Sequence, residues 1–249
     1  MSDVAPSSPL FEARGLTKRY QGLVSVSDVN FAIAENEILG LIGPNGAGKT
    51  TLVNMMSGTL KPNAGAIIFQ GVPVTALPPF RRAHLGIART FQVMKPFAGL
   101  SVLDNVAVGA LFGRAGEKAM RSARETAREW IDFTGLGRHV DARAEALGGP
   151  DRKRLEFAKA LAMRPKLLLL DEVMAGLNSV EIDEMIELIK KMRARGVTLL
   201  IIEHVMKAIR GLSDRVMVLR QGEMIAEGRP DDVLSDPRVI EAYLGTRRT

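Results

Sequence analysis

Apolar and polar positions alternate through "FEARGLTKRY" and on into "VSVSDVNFAIAENE". The pattern then turns continuously apolar at Ile38–Ile42. Alternation predicts antiparallel strands with one covered face, and the apolar run predicts a strand buried on both faces. A glycine-rich turn follows. "KTTLVNMMSG" after it has the composition of a helix that stops at Gly58. "AGAIIFQG" reads as a strand between turns.

From about Leu100 the period changes. "LSVLDNVAVGALFG" and "EKAMRSARETAREWIDFTGL" carry helical spacing and are rich in Ala, Arg and Glu. The strand pattern returns at "KLLLLDE", followed by an amphipathic helix in "EIDEMIELIKKMRARG" that ends at Gly196. "VTLLIIEH" reads as a second fully buried strand, "DRVMVLRQGEMIAEG" as two closing strands, and "DDVLSDPRVIEAYLG" as short terminal helices. The expected organisation is a flexible tail over 1–9, an α/β core from 10–92 and 164–235, a helical insertion over 93–163 and a C-terminal tail over 236–249. There is no internal repeat and no low-complexity linker.

At 249 residues the chain is long enough for one α/β domain with an inserted subdomain. A hydrophobic content of 46% with 25% charged residues excludes wholesale disorder. The absence of cysteine excludes disulfides and thiolate metal sites. The net charge of +6 is scattered, with small clusters at Arg81–Arg82, Arg152–Arg154 and Arg247–Arg248, the pattern of a mixed-charge surface rather than of a nucleic-acid face. No apolar run approaches the roughly 20 residues of a membrane span. The start "MSDVAPSSPL" lacks the features of a secretory signal. Any role at a membrane is therefore expected to run through a partner.

The turn "GPNGAGKTT" fits G-x-x-x-x-G-K-[ST] and lies between a buried strand and a helix, the context that gives this pattern a mechanism. Gly43, Gly46 and Gly48, with Pro44, Asn45 and Ala47, make a loop whose backbone N–H groups turn inward around phosphate oxygens. Lys49 supplies a positive charge to the β- and γ-phosphates, Thr50 a hydroxyl to Mg2+, and Thr51 stands in the helix's positive first turn. Asp171, closing "LLLLD", places a carboxylate beside the hydration shell of the metal. Glu172 suits a general base that polarises the attacking water. His204, at the end of "VTLLIIEH", is either a structural histidine or a γ-phosphate contact, since strand C-termini gather around ligands in α/β sheets. The amide of Gln92 in "ARTFQV" reaches Mg2+ or water at the junction into the helical insertion. Tyr20 either stacks on adenine or is a partly buried core tyrosine.

The order of Tyr20, "GPNGAGKTT", "FQ", a helical insertion, a glycine turn, "LLLLDE", "AGLN" and "EH" resembles the nucleotide-binding subunits of ABC transporters over nearly the whole chain. "ARTFQVMKPFAGLSVLDNV", "DEVMAGLNSVE", "IIEHVMKAIRGLSDRVMVL" and "AYLG" look more narrowly like the ATPases of branched-chain amino acid importers. The resemblance implies an α/β P-loop (RecA-like) ABC ATPase core with an N-terminal antiparallel β region and an inserted α-helical subdomain. It also implies ATP and Mg2+ as ligands, and two subunits that sandwich two ATP molecules head to tail. Transmembrane permease subunits are contacted near the Gln92 loop, and an external solute-binding protein acts indirectly. Such a subunit is cytoplasmic and peripheral on the inner face of the cell membrane, with no nucleic-acid partner. By the same resemblance Asn178 lies in a loop along the dimer seam.

The signature turn of the family usually reads LSGGQ. Here the ungapped register puts Leu147, Gly148, Gly149, Pro150 and Asp151 on those positions. Gly148 has no hydroxyl for the γ-phosphate of a partner subunit's ATP, and Pro150 has no N–H to donate. Asp151 adds a negative charge at a helix start, which Arg152, Lys153 and Arg154 are placed to offset. A hydrogen bond to a charged group is worth about 1.5–3 kcal/mol, so one or two losses weaken ATP-driven closure by roughly tenfold to a few thousandfold. The expected assembly is a heterodimer with an ordinary signature on the other subunit, a homodimer being the alternative. The competing functions are a dimerising subunit with weak turnover, an exporter ATPase, and a soluble ABC-type ATPase acting on DNA or the ribosome. Glu172 argues against the first, and the single cassette without a long heptad run argues against the last.

Overall fold

The structure, a computed structural model, describes residues 8–90, 96–114 and 116–244. Gln92 and the first seven residues of the expected tail lie outside the described residues. Strands β1 (Phe11–Tyr20), β2 (Leu23–Ile33) and β3 (Ile38–Ile42) open the chain, followed by α1 (Lys49–Ser57), β4 (Ala64–Phe69) and β5 (Val72–Pro73). Helix α2 (Pro79–Leu85), strand β6 (Ile87–Arg89) and helices α3 (Val102–Phe112), α4 (Met120–Phe133) and α5 (Gly149–Ala162) come next. The remainder holds β7 (Leu167–Asp171), α6 (Ser179–Ala194), β8 (Thr198–Ile202) and α7 (Met206–Leu212). It closes with β9 (Arg215–Arg220), β10 (Glu223–Gly228), α8 (Pro230–Leu234) and α9 (Pro237–Leu244). These elements form two compact units, one from residues up to Pro78 together with those from Thr198 on, the other Pro79–Val197.

In the first unit, β1 pairs antiparallel with β2 and with β4, in the strand order β2-β1-β4-β5. Phe11 and Ala13 of β1 and Val29, Phe31 and Ile33 of β2 are buried in alternation, and a register shift between Ala13 and Leu16 breaks the period and brings Leu16 inside. Strand β3 lies between β8 and β9, parallel to both, and every residue of β3 and β8 is buried. That is why these two strands read as continuous apolar runs. Strand β10 returns antiparallel along β9. Arg215 fastens the base of this sheet through Glu37 at 2.9 Å, while Asp214 accepts from the Ile38 amide at 2.9 Å.

In the second unit, β6 and β7 pair in parallel. Helices α3, α4 and α5 share an apolar core of Val102, Val106, Ala107, Ala123, Ala127, Ile131, Leu155 and Ala158. Ser101 caps α3 by accepting from the Asp104 amide at 3.0 Å. Buried Asn105 takes the Phe97 amide at 2.8 Å and donates to the Ser101 carbonyl at 3.0 Å, which fixes the approach to the helix.

Three details depart from the sequence pattern. Helix α6 starts before Glu181, because Asn178 is its N-cap and forms a capping box with Glu181. Strand β8 stops at Ile202, so His204 lies in a bend beyond it rather than at its end. Elements β5, α2 and β6 have two, seven and three residues, too short for any period to register.

Candidate functional site

Strand β3 delivers the chain to Gly43, and α1 takes it up again after Gly48. At Gly43 φ is 148°, and a Cβ would stand 2.2 Å from the Leu219 carbonyl oxygen. At Gly48 φ is 102°, and a Cβ would stand 2.4 Å from the Ser25 carbonyl oxygen. No side chain fits either place, so the two glycines determine how the loop leaves the strand and enters the helix. Between them the Ala47 amide donates to the Pro44 carbonyl at 3.2 Å, and the Ala47 carbonyl accepts from Gly222 at 2.9 Å. Asn45 and Gly46 are exposed at the tip.

Lys49 is only 7% exposed, and its ammonium donates to the Gly43 carbonyl at 2.6 Å and the Pro44 carbonyl at 3.0 Å. A positive charge is therefore held across the loop. Helix α1 opens with no side-chain cap and no acidic residue in its first turn. Its N-terminal amides and dipole suit an anion supplied from outside. Thr50 is exposed beside them, and Thr51 Oγ1 is 2.9 Å from Ser25 Oγ. Phosphate fits this loop on its backbone geometry and on its charge.

Tyr20 ends β1 with its side chain 44% exposed and the Lys18 ammonium 5.3 Å from its ring centre. His204 is exposed as well. These residues, with the loop, belong to the first unit.

In the second unit, Asp171 closes β7 and is 4% exposed. One of its oxygens pairs with Arg89 of β6 at 2.7 Å, and its amide lies 3.4 Å from Thr90 Oγ1. Arg89 was not singled out in the sequence, where a lone arginine before "TFQ" carries no pattern. Glu172 follows with φ 50°, a left-handed conformation uncommon outside glycine. A buried strand that ends in a sharp turn of this kind redirects the next side chain away from the strand axis. Among the described residues no group of three or more His, Asp or Glu side chains is arranged to hold a metal on its own. The exposed Thr50 hydroxyl is an oxygen donor of the kind that Mg2+ takes together with phosphate oxygens.

The signature positions form the start of α5. Leu147 is a core residue at 4% exposure, Gly148 is the N-cap, and Pro150 falls in the first turn. Asp151 is paired with His139 at 3.1 Å and Arg138 at 3.4 Å. The basic residues expected to offset it bond elsewhere: Arg152 to the Glu145 carbonyl at 2.7 Å, Lys153 to the Ala175 carbonyl, and Arg154 to Glu184 at 2.5 Å. Asn178 caps α6, accepting from the Val180 and Glu181 amides, both at 3.0 Å.

The sequence model of the ABC transporter family matches residues 26–175, more than half of the chain. This chain belongs to the ABC transporter family. The C-terminal model described as "branched-chain amino acid ATP-binding cassette transporter" matches residues 223–249 of this ABC cassette. The cassette is 39% identical to the high-affinity branched-chain amino acid transport ATP-binding protein LivG of Salmonella typhimurium, over 96% of this chain and 99% of that one. It is 37% identical to the lipopolysaccharide export system ATP-binding protein LptB of Acidithiobacillus ferridurans, over 96% and 98%. Among solved structures it is similar to MJ1267, an ATP-binding cassette of an ABC transporter in its ADP conformation. The TM-score is 0.86 at 30% identity, over 96% of this chain and 100% of that one. The ABC cassette is an α/β P-loop ATPase that binds and hydrolyses ATP. No helix among the described residues is long and apolar enough to cross a membrane.

Proposed function

We propose that the ABC cassette energises an importer of branched-chain or closely related amino acids. Its partners would be a second ATPase subunit and a pair of permease subunits, and its place the inner face of the membrane. One observation carries this reading: the match to the importer-type C-terminal model at 223–249, on top of full-length similarity to LivG. That C-terminal match favours an importer over an exporter of the LptB kind.

Residues 43–51 would hold the phosphates, with Lys49 on the β- and γ-phosphates. Bound Mg2+ would neutralise phosphate charge, and Thr50 and Gln92 would be its protein ligands. Glu172 would accept the proton of the attacking water, His204 would contact the γ-phosphate, and Tyr20 would stack on adenine. Gly148, Pro150 and Asp151 weaken the contact offered to the other subunit's ATP, so a heterodimer with an ordinary signature fits best. Uptake of labelled leucine by cells lacking the gene tests the solute. Uptake restored by the parent and not by Glu172→Gln supports the reading, and uptake unaffected by the deletion sinks it.

A further inference from the structure

The hydroxyl of Tyr243, one residue from the end of α9, accepts a 2.7 Å hydrogen bond from the Gly43 amide, 200 positions away in sequence. Gly43 is buried and is the first residue of the loop. Its carbonyl takes the 2.6 Å bond from Lys49. Both hydrogen-bonding groups of this one glycine are thus held, the amide by Tyr243 and the carbonyl by the lysine that faces phosphate. A glycine has the widest backbone freedom of any residue, so its orientation must come from such outside contacts.

Helix α9 has a second hold besides this bond: Val239 is buried at 2% exposure. Asp236 accepts from the Arg238 amide at 2.8 Å and so orders the start of the helix. We propose that Tyr243 is a positioning residue for the phosphate loop, so that nucleotide affinity depends on the docked C-terminal helix. By linkage, bound nucleotide also protects the Tyr243–Gly43 bond. Tyr243 lies within the segment matched at 223–249, which gives that part of it a physical role: it holds the Gly43 amide.

The proposal rests on reading residues 43–51 as the nucleotide loop, and the test separates the two. MgATP and MgADP titrations compare the parent, Lys49→Ala and Tyr243→Phe. Thermal midpoints of the nucleotide-free proteins and the Gly43 amide resonance are recorded alongside. The Phe variant keeps the ring and removes only the oxygen, leaving a buried amide unpaired. The expected result is at least about fivefold weaker binding of both nucleotides, with kcat at saturation changed less than KM. The Gly43 amide shifts and exchanges faster, and the midpoint falls by no more than the few degrees that one unpaired amide costs.

Affinity within twofold of the parent, with Lys49→Ala losing binding, overturns the role of Tyr243 and leaves the loop assignment standing. Parent-like binding by Lys49→Ala overturns the loop assignment itself, and the positioning role with it. Weaker binding accompanied by a larger fall in midpoint and an unmoved Gly43 resonance also overturns the proposal, because helix docking alone then explains the loss.

Discussion

Arg89 and Asp171 form a 2.7 Å ion pair in which the two side chains are only 10% and 5% exposed. It joins the ends of two neighbouring parallel strands, β6 and β7. Removing one partner from such a pair leaves an uncompensated buried charge. Arg89→Ala is expected to destabilise the protein by about 3–5 kcal/mol. Urea unfolding measures it. The double variant with Asp171→Ala should cost clearly less than the sum of the two single changes.

Glu172→Gln keeps the shape of the side chain and removes its basicity. With Glu172 as general base, ATP turnover should fall by about 10^2- to 10^4-fold while nucleotide affinity stays within a few-fold. Single-turnover hydrolysis beside a binding titration checks both numbers. Unchanged turnover would move the base to another residue.

Gly148 has φ −67° and ψ 169°, a conformation open to any residue, and a Cβ there meets no atom within 4 Å. Serine therefore fits. Gly148→Ser should cap α5 for a gain of a few tenths of a kcal/mol. It should also strengthen MgATP-driven dimerisation by roughly tenfold, the worth of one hydrogen bond to a charged group. Size-exclusion chromatography in the Glu172→Gln background reads the second effect. No change in dimerisation would mean the turn is not limiting.

Burial pushes the Tyr243 phenol above its ordinary value near 10, against a smaller opposing influence of the Gly43 hydrogen bond. A raised pKa means that the folded state favours the protonated phenol. Its contribution is in place below pH 10 and is lost as pH rises through the raised value. Tyrosinate absorbance should show a late-titrating phenol in the parent that is missing in Tyr243→Phe.

The parts legible in the sequence were those governed by local pattern. Strands β3, β7 and β8 announce themselves as short apolar runs because both faces are covered, and α1 because Gly58 stops it in the left-handed conformation. The loop at 43–50 is legible because Gly43 and Gly48 are demanded by backbone contacts within 2.4 Å and Gly46 by its φ of 77°. What stayed hidden depends on partners distant in sequence. Arg89 meets Asp171 across 82 positions and Tyr243 meets Gly43 across 200, and neither carries a local signal. The pairing of Asp151 with His139 and Arg138 was hidden for a different reason: the adjacent run of Arg152, Lys153 and Arg154 looked like the obvious counter-charge.

The left-handed backbone at Glu172 carries a consequence for how the protein tolerates change. A glutamate at φ 50° is held at a cost of the order of 1 kcal/mol that glycine would not incur. Selection for heat resistance alone would therefore favour losing this carboxylate. With Glu172 as general base, the variant that emerged would be sturdier and idle, so a screen that scores only folding would drift away from transport at this position.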